Sequence, residues 1–238
     1  MSRTYAIADT HGRYDLLTEA LAKIIDHSKD ARPSTIVTLG DYVDRGPQSR
    51  QIIERLMEWQ LPDLRLVSLK GNHETMMVET LRKPLHPDWW IGNGGGQTLI
   101  SYGHAPEGEY APTVIPDDHI EWIDNLPMMY RDEHRVYVHA AVDETVSLDE
   151  QTEETLTWRR YPEGYAAGHG SFHVVHGHDQ FAEGPLRFPG RTNLDVFAWY
   201  TGRLVIGVFD DATPGGPIEI IEVIGERAKA RRTTRVTG

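Results

Sequence analysis

Three short apolar runs, each broken by a polar turn and separated from the next by residues at helical spacing, restrict this chain to few folds. Tyr5-Ala6-Ile7-Ala8 runs into Asp9-Thr10-His11-Gly12. Thr35-Ile36-Val37-Thr38-Leu39 runs into Gly40-Asp41-Tyr42-Val43-Asp44-Arg45-Gly46, and residues 64–69 run into Lys70-Gly71-Asn72-His73-Glu74. Leu16, Leu17, Ala20, Leu21 and Ile24 recur at helix period between the first two runs, as do Ile52, Ile53, Leu56, Met57 and Trp59 between the second and third. This alternation predicts an α/β fold with a parallel sheet and crossover helices. Right-handed crossovers bring all three strand ends to one edge. Asp9, His11, Asp41, Asp44, Asn72 and His73 are therefore expected to converge.

The rest of the chain is less regular. Trp89-Trp90-Ile91-Gly92-Asn93-Gly94-Gly95-Gly96 reads as a glycine-rich turn before a helix over 97–102. Residues 103–116, with three prolines, read as an exposed connection, and 117–125 as a helix capped by an aspartate. The second half turns to β structure. Residues 135–138 end at His139, 173–175 end at His176-Gly177-His178, and 204–209 and 218–223 pair as a hairpin about 213–217. We expect one domain over 1–225 and a basic tail over 226–238.

Charge and composition limit the partners. With 36 Asp and Glu against 24 Lys and Arg, the net charge of −12 repels polyanions, so a nucleic-acid partner is not expected. No apolar run approaches about 18 residues, so no membrane partner is expected, and the opening Met1-Ser2-Arg3-Thr4 lacks a secretory core, which points to the cytoplasm. The oligomeric state is not legible. Cysteine is absent, so any metal must be held by imidazole and oxygen donors. One carboxylate between two imidazole-containing sets holds two ions close together, and Asp41 is the natural bridge. A single histidine at a strand end is usually an ordinary polar residue; their joint occurrence makes a metal site the better reading.

The ordered set Asp9-Thr10-His11, Gly40 to Gly46, Gly71-Asn72-His73-Glu74, Val138-His139-Ala140 and Gly177-His178 resembles the signature of the bacterial PPP-type, calcineurin-like metallophosphoesterases. The resemblance implies a β-sandwich of two mixed sheets flanked by helices, with a metal site at the strand ends. It implies two divalent ions, manganese first with iron and zinc as alternatives. Asp9 and His11 would hold one, Asp41 would bridge, and Asn72, His139 and His178 would complete the other. Arg45, and Arg160 of Trp158-Arg159-Arg160, would bind the phosphoryl group, with Arg159 the weaker choice. His73, oriented by Asp44, would protonate the leaving group after attack by a hydroxide bridging the ions. Asn93 would lie on the substrate side, and His176 would support the ligand turn.

These expectations describe a phosphoester hydrolase, first a serine/threonine protein phosphatase acting on a phosphorylated protein or small phosphoester. The alternative is a symmetrical diadenosine-tetraphosphate hydrolase, whose nucleotide could stack on Trp89, Trp90 or Tyr102, residues that also suit a core. A non-catalytic phosphoprotein-binding module would show a broken motif, and none is broken. His27, His86, His104, His119, His134 and His169 read as surface or loop residues, and Met76 and Met77 as core.

Overall fold

The computed structural model describes residues 2–31, 33–83, 86–106, 108 and 110–227. Of the expected basic tail, Glu226 and Arg227 are described and 228–238 lie outside the described residues. The first half alternates as the spacing requires: β1 (Arg3–Ile7), α1 (Tyr14–His27), β2 (Ser34–Thr38), α2 (Ser49–Met57), β3 (Leu64–Ser68) and α3 (Asn72–Arg82). A short helix α4 (Asp88–Trp90), a π-turn (Ile91–Gly95), α5 (Gly96–Ser101) and α6 (Asp117–Asp124) follow. The second half adds β4 (Met129–Arg131), β5 (Arg135–Val138), α7 (Glu153–Trp158), β6 (His173–His176), β7 (Leu186–Arg187), β8 (Arg191–Asn193), α8 (Ala198–Thr201), β9 (Arg203–Asp210) and β10 (Glu219–Ile224).

These strands form two five-stranded mixed sheets, ordered β10-β9-β1-β2-β3 and β4-β5-β6-β8-β7. In the first, β1, β2 and β3 are parallel, while β9 runs antiparallel to both β1 and β10. In the second, β5, β6 and β8 are parallel. Strand period places Tyr5 and Ile7 on one face and Ala6 and Ala8 on the other. Tyr5 and Ile7 pack with Leu17, Leu21, Ile24, Ile52 and Ile53 of the helices, and with Met76 and Met77. Ala6, Ala8, Val37 and Leu39 meet Tyr137, Val175 and Leu194 of the opposite sheet. The small residues Ala6, in β1, and Ala8, just after it, let the sheets close on each other, which brings the C-terminal ends of β1, β2 and β3 beside those of β5, β6 and β8.

Several local expectations need correction. α3 starts inside the third motif, at Asn72, a helix that the sequence reading did not assign. α6 is preceded by Pro116, and Asp118 accepts from the His119 amide, so no aspartate side chain caps this helix. His119 is buried and hydrogen-bonded to the Tyr102 hydroxyl at 2.8 Å, and is not a surface residue. No described helix is long and apolar enough to cross a membrane.

Candidate metal centre

Turns that leave buried parallel strands are held by the scaffold, and here they are also strained. Among the described residues, the non-glycine residues with positive φ are Asp9, His11, Asp41, Asp44, Arg45, His178 and Phe197. All but Phe197 belong to the site read from sequence. Such backbone is costly for L residues and persists where the surroundings over-determine it. Glycines permit the close approach: a Cβ on Gly177 would sit 2.0 Å from Asp9 Oδ2, and one on Gly40 2.6 Å from the Gly71 amide.

Asp41 stands at the centre. Its Oδ2 lies 3.2 Å from His11 Nε2 and 3.9 Å from His73 Nε2, and its Oδ1 lies 3.5 Å from His139 Nε2. One carboxylate thus faces two imidazole sets. Two groups of donors, His11/Asp41/His73 and Asp41/His139/His178, each have their donor atoms within 4.8 Å of one another. His11 donates from Nδ1 to Val43 O and His139 from Nδ1 to Leu39 O, both at 2.8 Å. These carbonyls fix the tautomer and leave each Nε2 as a lone pair aimed at the site. The Asn72 side-chain oxygen Oδ1 lies 2.9 Å from His139 Nε2 and 3.1 Å from His178 Nδ1.

Asp9 stands in neither of the two donor groups. It accepts from the His178 amide at 3.2 Å, and burial, Asp195 and Asp41 together raise its carboxyl well above the usual range. Asp195, at the exit of β8, is pushed up to about 7 chiefly by burial, and its Oδ2 has no partner among the described residues. Buried like charges and an orphaned carboxylate oxygen are the condition that divalent cations relieve, and the hard oxygen and imidazole donors suit manganese, iron or zinc.

Around this centre, His73 Nδ1 lies 2.6 Å from Asp44 Oδ2. Arg45 places Nη1 2.9 Å from His11 Nε2 and Nη2 2.9 Å from His73 Nε2. Arg160 is exposed and paired with Asp179 at 3.4 Å, close enough to act electrostatically on His178. Arg159 pairs with Asp143 at 2.9 Å. Asn93 spends its amide nitrogen on Trp89 O at 2.8 Å, within the glycine-rich turn. His176 accepts from Arg191 at 2.9 Å and donates to Gly177 O at 3.0 Å, so it braces the turn that carries His178. Burial draws His11 down to about 4 and His178 to about 3, whereas Asp41 and the Asp44 hydrogen bond outweigh burial and raise His73.

Residues 2–211 match the calcineurin-like phosphoesterase family. The chain belongs to that family. Serine/threonine-protein phosphatase 1 of Salmonella typhimurium is 28% identical over 57% of this chain. The symmetrical bis(5'-nucleosyl)-tetraphosphatase of Methylobacillus flagellatus is 27% identical over 72% of it. The chain spans 57% of the length of each. A solved structure of a putative diadenosine tetraphosphatase superposes over 95% of both chains with a TM-score of 0.64 at 22% identity, a likeness of fold.

Three residues of this chain make contacts at the site that the sequence reading did not anticipate. Glu74 accepts from the amides of Asp41 (2.7 Å), Tyr42 (2.8 Å), Val43 (3.2 Å) and Gly71 (2.9 Å), which shapes the turn carrying Asp41. Its position three residues into α3 was the available signal. Trp90 is fully buried and donates from Nε1 to Asp44 at 3.0 Å, while Tyr102 is 7% exposed. Neither offers a face to a nucleotide: for these two the core reading, which the sequence also allowed, is the one the structure bears out. Trp89 is exposed on one face and stacks on Trp158. Asp195, described above, is the third.

Proposed function

We propose that this chain is a binuclear metal-dependent phosphoester hydrolase. The observation that carries the reading is the two-faced carboxylate of Asp41, set between His11 on one side and His139 on the other. Asp9, His11 and Asp41 would hold one divalent ion, and Asp41, Asn72, His139 and His178 the other. Bound there, such ions supply Lewis acidity toward a phosphoryl oxygen and acidify water.

The protein's own groups have separate tasks. Arg45 presents a planar fork of donors that matches phosphoryl oxygens and neutralises charge that grows in the transition state. Arg160, which is solvent-exposed, is the second clamp once released from Asp179. His73 holds a proton for the departing oxygen, and Asp44 fixes which ring nitrogen faces it. Carbonyls at Val43 and Leu39 hold His11 and His139 in the tautomer that leaves Nε2 free.

For the substrate, the serine/threonine phosphatase reading is supported by motif order and by the relative from Salmonella. The dinucleotide reading is supported by the relative from Methylobacillus and by an aromatic groove beside Arg45. Steady-state assays of the metal-stripped chain, restored with Mn²⁺, on p-nitrophenyl phosphate, a phosphoserine peptide and diadenosine tetraphosphate test the proposal. Manganese-dependent turnover of at least one is expected; no turnover of any overturns it.

A further inference from the structure

Arg45 forms a wall shared by the metal centre and a groove of about 1140 Å³. Gln48, Ile91, Asn93 and Gln97 line one part of this groove, and Trp199 and Tyr200 another. The Arg45 guanidinium lies 5.8 Å from the centre of the Trp199 ring, so the phosphate end of the site and the aromatic wall are contiguous.

The aromatic wall is built, not incidental. α8 is entered through Phe197 in the left-handed region, with φ 62°, and the Phe197 amide donates to Asp195 Oδ1 at 2.8 Å. Arg13 donates to Ala198 O at 3.2 Å while gripping Asp15 through two bonds of 2.9 and 2.7 Å. This fixed turn stacks Phe197 on Tyr200, with centroids 5.1 Å apart, and leaves Tyr200 53% exposed. A bulky residue at positive φ that serves to display an exposed aromatic ring points to a role outside the core. Arg13 and Asp15 neutralise each other, and besides Glu226 and Arg227 the groove offers amide groups, aromatic planes and the Arg45 guanidinium that it shares with the metal centre. Aromatic planes recognise flat rings at low entropic cost, and neutral amides read donor and acceptor edges.

We infer that this groove is a nucleobase subsite: the base of a nucleoside phosphate stacks on the Trp199–Tyr200 turn while its phosphoryl group meets Arg45. The inference rests on the phosphoesterase reading for the phosphate end, and it moves the base platform from Trp90 and Tyr102 to the turn before β9.

Adenosine 5'-phosphate and ribose 5-phosphate share the sugar phosphate and differ at C1, where one carries adenine and the other a hydroxyl. Their binding to the full chain, followed by tryptophan fluorescence on mixing and before turnover, tests the subsite directly. The nucleotide should bind roughly tenfold more tightly, the usual scale of one base on one aromatic ring, and Tyr200→Ala should remove most of that difference. Trp199→Ala should do the same, and the exposed Tyr200 carries the test if the Trp199 variant does not fold. Equal affinity for the two probes overturns the subsite. So does a base preference that survives Tyr200→Ala, or a groove that responds only to an aromatic residue beside phosphoserine in a peptide. Base-dependent binding without hydrolysis of any phosphoester would support the subsite and remove the hydrolase reading, so the two fail separately.

Discussion

Asp44 Oδ2 and His73 Nδ1 lie 2.6 Å apart, and the rest of the Asp44 carboxylate is taken by Thr98 Oγ1 at 2.7 Å and Trp90 Nε1 at 3.0 Å. Held by three donors, the Asp44 carboxylate is fixed in orientation, and His73 turns Nε2 toward Arg45 and Asp41. If His73 is the acid, its loss should depend on how badly the leaving group needs a proton. His73→Ala should lower kcat on an alkyl phosphate by about 10²- to 10⁴-fold and on p-nitrophenyl phosphate by much less. Equal losses on the two esters would argue against an acid.

Trp90→Phe keeps an aromatic ring but removes the donor to Asp44 and part of a fully buried side chain. A buried bond to a carboxylate is worth about 1.5–3 kcal/mol and the cavity adds to it, so urea denaturation should report a loss of at least that size, together with lower kcat on alkyl esters. A stability change under about 0.5 kcal/mol would mean that the indole does not hold Asp44.

Glu74→Gln replaces an acceptor-only group with one that carries two donors among four converging amides. We expect a loss of about 2–3 kcal/mol in chemical denaturation and at least about tenfold weaker manganese binding, since the turn that carries Asp41 loses its template. Unchanged metal affinity in a folded variant would contradict that role.

His173, at the start of β6, bonds Thr192 Oγ1 at 2.9 Å, and burial first, then Arg135 and Arg187, lower it to about 4. Because its folded pKa lies below the unfolded value, the unfolded chain binds the extra proton. Stability is complete above about pH 6.5 and falls as the pH drops toward about 4. His173→Gln should flatten that decline in thermal melts taken between these limits; an identical slope would exclude His173 as its source.

The first sheet was legible because β1, β2 and β3 are apolar runs bounded by turn residues, and α1 and α2 carry clean helical period. Their strand ends supply Asp9, His11, Asp41 and Asn72, so four of the six proposed ligands could be placed by topology alone. β7 and β8 were not legible: they are two and three residues long, and Arg191-Thr192-Asn193 is polar although fully buried. With β8 unseen, Asp195 at its exit had no strand end to belong to. Trp90 misled for a different reason. A tryptophan beside glycines looks like a loop residue, and only the tertiary position of Asp44 explains why its indole nitrogen is buried.

In the proposed centre Asp41 serves two ions. The most direct measurement is the manganese content of the chain and of Asp41→Asn after equilibration and gel filtration, determined by elemental analysis against protein concentration. Two ions per wild-type chain, with both lost or greatly weakened in the folded variant, is the expected result. A single ion in the wild type, or two retained by Asp41→Asn, would contradict the shared carboxylate and the binuclear account with it.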